Sequence, residues 1–204
     1  MKRVAISQRR DTYPERNETC DSIDIRIAER LWQWGFLPLP LVSSVSDPMA
    51  YLDALCPEAF VLTGGNDIGS MPQRDSLETA ALDYAVSHHL PVLGICRGLQ
   101  MINHYQGGYS RPISGHVATN HLISGPLTQH APRSVNSFHK YAVYSDTLGK
   151  DLRALAWAKD GSIEAISHEA WPWLAIMWHP ERDTPTHEID EELVIQLLQE
   201  GCLP

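Results

Sequence analysis

Runs of apolar residues alternate along this chain with segments in which apolar residues recur every three or four positions. The runs at 3–7, 59–65 and 91–95 lack polar alternation, which is typical of strands buried on both faces of a sheet. Such strands, separated by amphipathic helices, predict a parallel sheet covered by helices on both faces. The predicted helices are 23–34, 47–55, 75–88, 97–106 and 187–200.

The second half of the chain has a more β-like pattern, and two local signals in the first half add detail. The prolines of "FLPLPLV" (36–42) favour an edge strand. Asp75 and Glu78 have the spacing of a capping box, which predicts the start of a helix. One α/β domain over 1–204 is the resulting prediction. The strands predicted in the second half are 134–144, 163–168 and 173–179.

Composition and charge exclude several classes of protein. The 204 residues are enough for one compact domain with a substantial core. A net charge of −9 argues against general nucleic-acid binding, which needs a basic face. No apolar run approaches the roughly 20 residues of a membrane span, and the N-terminus lacks the apolar region of a secretion signal. We therefore expect a cytoplasmic protein without a membrane partner.

The four cysteines are far apart and form no C-x-x-C pair. This spacing argues against a zinc knuckle or a disulfide scaffold and favours reduced, individual thiols. Cys20, Cys56 and Cys202 have no setting that suggests chemistry, so we expect them to be inert.

Cys96 has a different setting, because it lies where a buried strand ends and a helix begins. Gly94 and Gly98 on either side permit a tight turn and the close approach of a substrate, as in a nucleophile elbow. A helix N-terminus also favours the thiolate. A lone cysteine after an apolar strand is equally well explained as a small core residue, so both interpretations stay open on this pattern alone.

A nucleophilic cysteine needs a base, and the segment "WLAIMWHPER" offers one. His179 leaves an apolar strand, and Pro180 forces the chain to turn. In an extended segment the side chain of Glu181 would point the same way as that of His179 and could fix its tautomer. Alone the tripeptide is a weak signal, but with the cysteine turn it indicates nucleophilic catalysis.

Four blocks of sequence together resemble the class I glutamine amidotransferase superfamily, and most closely its free-standing γ-glutamyl hydrolase branch. The resemblance implies a three-layer, flavodoxin-like domain with a mostly parallel central sheet and helices on both faces. It covers most of the chain after residue 60. The blocks are "LTGGNDI" (62–68), "GICRGLQMIN" (94–103), "VNSFHKYAV" (135–143) and "IEAI" with "WHPER" (163–166 and 178–182).

The resemblance implies a catalytic triad of Cys96, His179 and Glu181. The thiolate would attack a γ-glutamyl amide, form a γ-glutamyl thioester and release glutamate after hydrolysis. An oxyanion hole of backbone N–H groups is also implied, at the matching positions Gly64, Gly65 and Arg97.

Substrate-binding residues follow from the same resemblance. Gln100 lies one helical turn after Cys96 and would bind the glutamyl head group. A merely structural role stays open for each residue of this set. The other matching positions are Asn136, Ser137, His139, Lys140 and Tyr141.

Arginines after the first strand suggest an anionic leaving group. Arg9 and Arg16, with Arg182, would bind a diphosphate, although solvated surface charges are the alternative. This N-terminal segment resembles small bacterial amidotransferase-like proteins of surface-polysaccharide phosphoramidate formation. We therefore expect hydrolysis of a γ-glutamyl conjugate of a cytidine diphosphate amidate.

No cofactor and no metal are expected. His116 and His121 lie five positions apart in what we interpret as a loop, and no third ligand has convincing spacing. The expected partner is a small γ-glutamyl metabolite, with a homodimer left open. Three alternatives remain: hydrolysis of γ-glutamyl-γ-aminobutyrate in polyamine catabolism, a glutaminase subunit of a two-protein amidotransferase, and a non-catalytic binding protein on the same fold.

Overall fold

The computed structural model describes residues 1–129 and 131–201, so Cys202 lies outside the described residues. Its strands and α-helices follow the order of the chain. The strands are β1 (Arg3–Ile6), β2 (Arg9–Tyr13), β3 (Glu18–Ser22), β4 (Leu37–Pro40), β5 (Ala59–Leu62), β6 (Val92–Ile95), β7 (Arg111–Pro112), β8 (Val117–Ser124), β9 (Arg133–Phe138), β10 (Tyr141–Ala142), β11 (Leu152–Ala158), β12 (Ile163–His168) and β13 (Trp173–Ile176). The helices are α1 (Ile25–Gln33), α2 (Pro48–Leu55), α3 (Pro72–His88), α4 (Arg97–Tyr105) and α5 (Glu188–Glu200).

A nine-stranded sheet has the order β4-β1-β5-β6-β13-β12-β11-β8-β9. The pairs from β4 to β13 are parallel, and those from β13 to β9 are antiparallel. The predicted α/β architecture is confirmed, as is the β-rich second half. The proline-containing strand β4 is at the edge, where a residue without an N–H costs least.

Helices cover both faces of the parallel half of the sheet, because successive side chains of its strands are buried on opposite faces. On β1, Val4 and Ile6 pack in one cluster with α1 and α5, whereas Ala5 packs in the other with α2, α3 and α4. The predicted three layers are therefore present. This packing leaves the carboxyl ends of β5 and β6 at one rim, where ligands of such sheets bind.

One predicted helix start is wrong. Helix α3 begins at Pro72, and Asp75 and Glu78 form no capping box. Proline is well suited to the first helical position because its fixed φ is already helical and its missing N–H would be unsatisfied there. The carboxylate of Asp75 instead accepts a hydrogen bond from the N–H of Gly69 (2.8 Å), and Glu78 is buried.

Several strands that the sequence pattern did not predict complete the fold. The hairpin β2–β3 follows β1, and β8 and β11 extend the antiparallel half. Strand β8 has few buried residues, so it lacks the apolar signal of a core strand. Its presence corrects the interpretation of the segment around His121 as a loop.

Among the helices in 1–129 and 131–201, we find none that combines the length and the apolar character needed to cross a membrane. The cytoplasmic location and the homodimer stay predictions.

Candidate active site

Cys96 lies in a strained turn between β6 and α4. Its φ of 54° and ψ of −102° are unusual for a residue with a side chain, and such strain occurs mainly at functional sites. A Cβ on Gly98 would clash with the carbonyl oxygen of Leu62, and one on Gly94 would lie 2.7 Å from the carbonyl carbon of Gly98. These glycines therefore allow helix and strands to touch at the turn. They do not face a substrate, contrary to part of our expectation.

His179 follows β13 and lies beside the cysteine: a Cβ placed on Gly64 would be 3.7 Å from Nε2 of His179 and 3.7 Å from the Cβ of Cys96. The Nδ1 atom is 2.7 Å from Oε1 of Glu181. Both side chains are about 95% buried. A carboxylate can only accept, so Nδ1 carries a proton and Nε2 is left for Cys96. The structure therefore brings together the three residues of the implied triad.

The backbone conformation that brings Glu181 to His179 differs from our expectation. Residues Pro180–Arg182 form a 3₁₀ turn, so Glu181 does not follow His179 in an extended segment. Pro180 at the first position of the turn again supplies a helical φ. The carboxylate folds back towards the imidazole by way of this turn.

Asn136 on β9 holds the backbone of His179 in place. Its Oδ1 accepts a hydrogen bond from the N–H of His179 (2.9 Å), and its Nδ2 donates one to the carbonyl oxygen (2.8 Å). Nδ2 also donates to Asp183 (3.0 Å). Because its amide is occupied in this way, Asn136 acts on the site through His179 and is a positioning residue.

The electrostatics favour a charged imidazole. Burial alone would lower the pKa of His179, but the hydrogen bonds to Cys96 and Glu181 outweigh it and raise the pKa to about 9. The protonated form therefore persists at neutral pH. The positive charge of the ring therefore lies beside the Cys96 side chain.

Gly64 provides the space beside these side chains. A Cβ there would lie 3.0 Å from Cε1 of His179 and 3.7 Å from the Cβ of Cys96. Gly65 has a φ of +95°, and a Cβ there would be 2.8 Å from the Cβ of Arg9. Gly64 after β5 therefore leaves an opening that borders the imidazole and the Cβ of Cys96.

The side chain of Arg97, the residue after Cys96, is held by buried ion pairs. It lies in a buried cluster of fixed charges, in which its guanidinium donates to the carboxylates of Glu78 and Asp75. Arg74 donates to Glu78 (2.9 Å) and to the carbonyl oxygen of Thr63 (2.7 Å), just before the Gly64 opening. Sequence reasoning used only the backbone of Arg97. The signal that could have found the cluster is Arg74 and Glu78, one helical turn apart on the buried face of α3.

On one side of the turn, α4 borders a cavity of about 180 Å³. Gln100 lines it, and its Nε2 donates to the carbonyl oxygen of Tyr141 (3.1 Å). Tyr141 lines the same cavity, with Asp67 and Ile68 from the segment after β5. We call this space the α4 cavity.

On the other side, a cleft of about 90 Å³ is lined by Gly64, Gly65 and His179. Arg9 and Arg182 line it as well, and the guanidinium of Arg182 lies 4.3 Å from the ring centroid of Phe138. We call this space the arginine cleft. The α4 cavity and the arginine cleft share no lining residue, and they are the two compartments that we consider for a substrate.

The remaining predicted binding residues lie elsewhere. Arg16 is near the tip of the β2–β3 hairpin, with Glu15 and Glu18 as its ion-pair partners. Ser137 is buried and donates to the carbonyl oxygen of His116 (2.8 Å), and Lys140 is exposed. His139 is buried and its Nδ1 lies 3.0 Å from the carbonyl oxygen of Tyr141. None of these four side chains lines the α4 cavity or the arginine cleft.

One cluster could hold a metal ion. Ligand atoms of His116, His121 and Glu164 all lie within 4.8 Å of one another. The sequence offered no third ligand because Glu164 is far along the chain and joins the histidines only when β12 enters the sheet. A larger cavity, of about 440 Å³, lies between 127–133 and α5, and no predicted site residue lines it.

The model of the Peptidase C26 family, a class I glutamine amidotransferase-like family, matches residues 6–181. The chain belongs to this family. A protein of Campylobacter jejuni named γ-glutamyl-CDP-amidate hydrolase is 32% identical over 196 residues, covering 91% of this chain and 93% of its own. The γ-glutamyl-γ-aminobutyrate hydrolase of Escherichia coli is 25% identical over 201 residues, covering 78% of each chain.

A solved structure supports the same fold. A Thermoplasma acidophilum protein described as a subunit of GMP synthase superposes with a TM-score of 0.74 at 16% identity, over 98% of this chain and 94% of its own. At that identity the likeness concerns the fold alone. Family and sequence relatives together support a hydrolase acting on C–N bonds.

Proposed function

We propose that this protein hydrolyses a γ-glutamyl amide bond of a small metabolite, with Cys96 as nucleophile and a γ-glutamyl thioester as intermediate. One observation carries the proposal: the bare Cα of Gly64 faces both Cys96 and a His179 that Glu181 holds in a single tautomer. A carbonyl carbon placed in that opening would have a nucleophile and a proton donor within reach.

In the first half-reaction the thiolate of Cys96 attacks the carbonyl carbon and a C–S bond forms. The oxygen takes the negative charge, and the N–H of Arg97, the first residue of α4, is available to it because helix N-terminal N–H groups lack intrahelical partners. An N–H of the Gly64–Gly65 turn is the second proposed donor. His179 then gives its proton to the leaving nitrogen as the C–N bond breaks.

In the second half-reaction water replaces the departed amine. Neutral His179 takes a proton from this water, which attacks the thioester carbonyl, and the C–S bond breaks. Glutamate leaves and the thiolate is regenerated beside an imidazolium. Glu181 supports both steps because it stabilises the protonated ring without taking up its proton.

The two compartments suggest how the substrate lies. We assign the glutamyl head group to the α4 cavity, where Gln100 and Tyr141 offer polar groups, and the leaving group to the arginine cleft. Arg9 and Arg182 there suit an anion with several oxygens, because guanidinium groups bind phosphates in bidentate fashion. The similarity to the Campylobacter jejuni enzyme favours a γ-glutamyl-CDP-amidate, which would yield cytidine diphosphoramidate for capsule modification.

Cys96→Ala tests the chemistry. We expect the variant to keep its fold and to lose glutamate release from a γ-glutamyl substrate, since no other thiol of the described residues lies at His179. Mass spectrometry of the wild-type protein, quenched during turnover, should detect a γ-glutamyl adduct on Cys96. Normal turnover by Cys96→Ala would contradict the proposal.

A substrate panel tests the leaving group. We expect kcat/KM to be highest for γ-glutamyl-CDP-amidate, ahead of γ-glutamyl-γ-aminobutyrate and glutamine. Arg9→Gln should raise KM for the nucleotide conjugate alone, while Arg153→Gln on the exposed face of β11 serves as the control. A preference for γ-glutamyl-γ-aminobutyrate would assign the protein to polyamine catabolism. Slow hydrolysis of glutamine that a synthetase accelerates would make it a glutaminase component of a two-protein enzyme.

A further inference from the structure

A cluster of three histidines and one glutamate lies behind the catalytic histidine, outside both compartments. His116 precedes β8, His121 is on β8 and His139 follows β9, while Glu164 comes from β12. Glu164 is fully buried, and His116 and His139 are 6% and 3% exposed. The main chain of Glu164 also accepts from the N–H of Met177 (2.8 Å), two residues before His179. The cluster is therefore built into the strands that hold the site.

The proton positions of His116 and His139 follow from their outer partners. Nε2 of His116 is 2.8 Å from a carboxylate oxygen of Asp160, and Nδ1 of His139 is 3.0 Å from the carbonyl oxygen of Tyr141. Both partners can only accept, so each of these ring nitrogens carries a proton. In the neutral rings, Nδ1 of His116 and Nε2 of His139 then both present lone pairs, and they face each other at 3.1 Å. A positive species is needed between them.

The other two members of the cluster also present buried polar atoms without a hydrogen bond of normal geometry. Oε2 of Glu164 and Nε2 of His121 are buried and have no hydrogen-bond partner in the described residues, although they lie only 3.3 Å apart. Burying a carboxylate oxygen without a donor is costly, and a cation would satisfy both atoms.

The spacing of these atoms fits a four-coordinate ion. Ligands at the usual 2.0–2.2 Å from Zn²⁺ lie about 3.3 Å from each other in a tetrahedron. The pairs observed are His121 to Glu164 (3.3 Å), His139 to Glu164 (3.5 Å) and His116 to His139 (3.1 Å), with His116 to Glu164 at 3.8 Å. The first three values are close to that edge. Glu164 meets His121 through Oε2 and the other two rings through Oε1, so its carboxylate would bind with both oxygens or turn. His139 lies outside the group whose ligand atoms are all within 4.8 Å of one another, so its ring would have to move closer.

We propose that His116, His121 and Glu164 bind a divalent transition-metal ion, with Zn²⁺ as the best match, and that His139 completes the coordination. Imidazole and carboxylate ligands suit this class of ion. Asp160 and the carbonyl oxygen of Tyr141 act as outer partners that orient two of the rings, an arrangement that is common at metal sites. Because Tyr141 also accepts from Gln100, the ion would lie directly behind the α4 cavity.

Metal analysis of the full-length chain tests this proposal independently of any catalytic activity. Cys20 and Cys56 are first replaced by serine so that exposed thiols do not bind the ion. After treatment with a chelator and dialysis, the protein is titrated with Zn²⁺ and with Co²⁺. We expect one ion per chain, the visible absorption bands of four-coordinate Co²⁺, and a thermal midpoint that rises by several degrees with saturating Zn²⁺.

Substitutions in and outside the cluster test where the ion binds. His121→Asn should abolish stoichiometric binding, whereas His89→Asn, at an exposed histidine, should leave it intact. Asp160→Asn keeps all four ligands and can still accept from the N–H of Ser162, so it should fold normally and weaken the metal affinity about 10- to 100-fold. Binding that is absent in the wild type, or equally strong in His121→Asn and in the wild type, would overturn the proposal.

Discussion

The two sides of the candidate active site are held in different ways. The cysteine turn belongs to the parallel half of the sheet, and behind it lies the cluster of fixed charges formed by Arg97, Glu78, Asp75 and Arg74. The histidine belongs to the junction with the antiparallel half. Its ring and backbone are held by Glu181 and Asn136, and the histidine cluster lies behind it.

The difference concerns which charges are permanent. Guanidinium groups stay protonated at all relevant pH values, so the partners of Glu78 are constant. The pKa of Glu78 is raised by its burial, but Arg74 and Arg97 outweigh this effect and lower it. On the other side, the pKa of His179 is raised to about 9, so its charge is lost as the pH rises through that value. The turn that holds Cys96 therefore packs against charges that do not change with pH, whereas the charge of His179 does change.

Arg97→Met should have the largest effect on stability. It leaves buried carboxylates with fewer partners, which typically costs about 3–5 kcal/mol in the free energy of unfolding. Urea denaturation measures this loss. Arg111→Met, which removes the exposed ion pair with Asp146, is the control and should cost less than about 1 kcal/mol. Equal effects of the two substitutions would remove the distinction between the buried cluster and an ordinary surface pair.

His179→Gln should lower the free energy of unfolding by less than Arg97→Met does, and by an amount that depends on pH. Folding raises the pKa of His179 from 6.5 to about 9, so the native state holds a proton that the unfolded chain releases between these values. This stabilisation is complete below pH 6.5 and is lost as the pH rises through about 9, on the order of 3 kcal/mol in all.

Urea denaturation of wild type and His179→Gln at pH 6 and pH 9.5 measures this difference. The difference in the free energy of unfolding between wild type and His179→Gln should be smaller at pH 9.5 than at pH 6. The corresponding difference between wild type and Arg97→Met should stay constant between pH 7 and pH 9. A difference for His179→Gln that does not change with pH would contradict the contrast between the two sides.

Asn136→Ala should reduce kcat about 10- to 100-fold with little change in KM. The buried N–H and carbonyl groups of His179 would lose partners worth about 1–3 kcal/mol, and the imidazole would no longer be held at the sulfur. Steady-state kinetics with a γ-glutamyl substrate measure both constants. Asn120→Ala is the matched control, because Asn120 pairs with Asn136 across the sheet but is exposed. A change in KM alone would instead assign Asn136 to substrate binding.

Asp75→Asn should have the smallest effect, at most about 1 kcal/mol in the free energy of unfolding. The Asp75 side chain is 20% exposed, and Arg97 keeps its bond to the fully buried Glu78. Urea denaturation again provides the measurement. A loss as large as that of Arg97→Met would mean that the exposed member of the cluster contributes as much as the buried one.

Most helices and core strands could be predicted from the sequence because their apolar residues are regularly spaced. The runs that became β1, β5 and β6 are buried on both faces, and α1, α2, α4 and α5 begin and end within two residues of the prediction. The prediction failed where burial is partial. Strands β8 and β11 and the hairpin β2–β3 owe their structure to pairing with neighbours, which a single stretch of sequence does not reveal.

The candidate site was predictable where its residues are local to one turn. Cys96 with its flanking glycines and the pair of His179 and Glu181 could be found because short motifs encode them. The Arg97 cluster was missed because α3 has to pack on the sheet before Asp75 and Glu78 reach the guanidinium. Glu164 was missed as a candidate metal ligand for the same reason.

The sequence by itself determined most helices and core strands, the cysteine turn and the candidate residues around it, because these depend on the spacing of residues within single segments. Only the tertiary structure decided which charges meet behind the turn, that Asn136 holds His179, and that three histidines and Glu164 converge. Those contacts join residues far apart in the chain, and they exist only once burial of the apolar faces has brought the strands together.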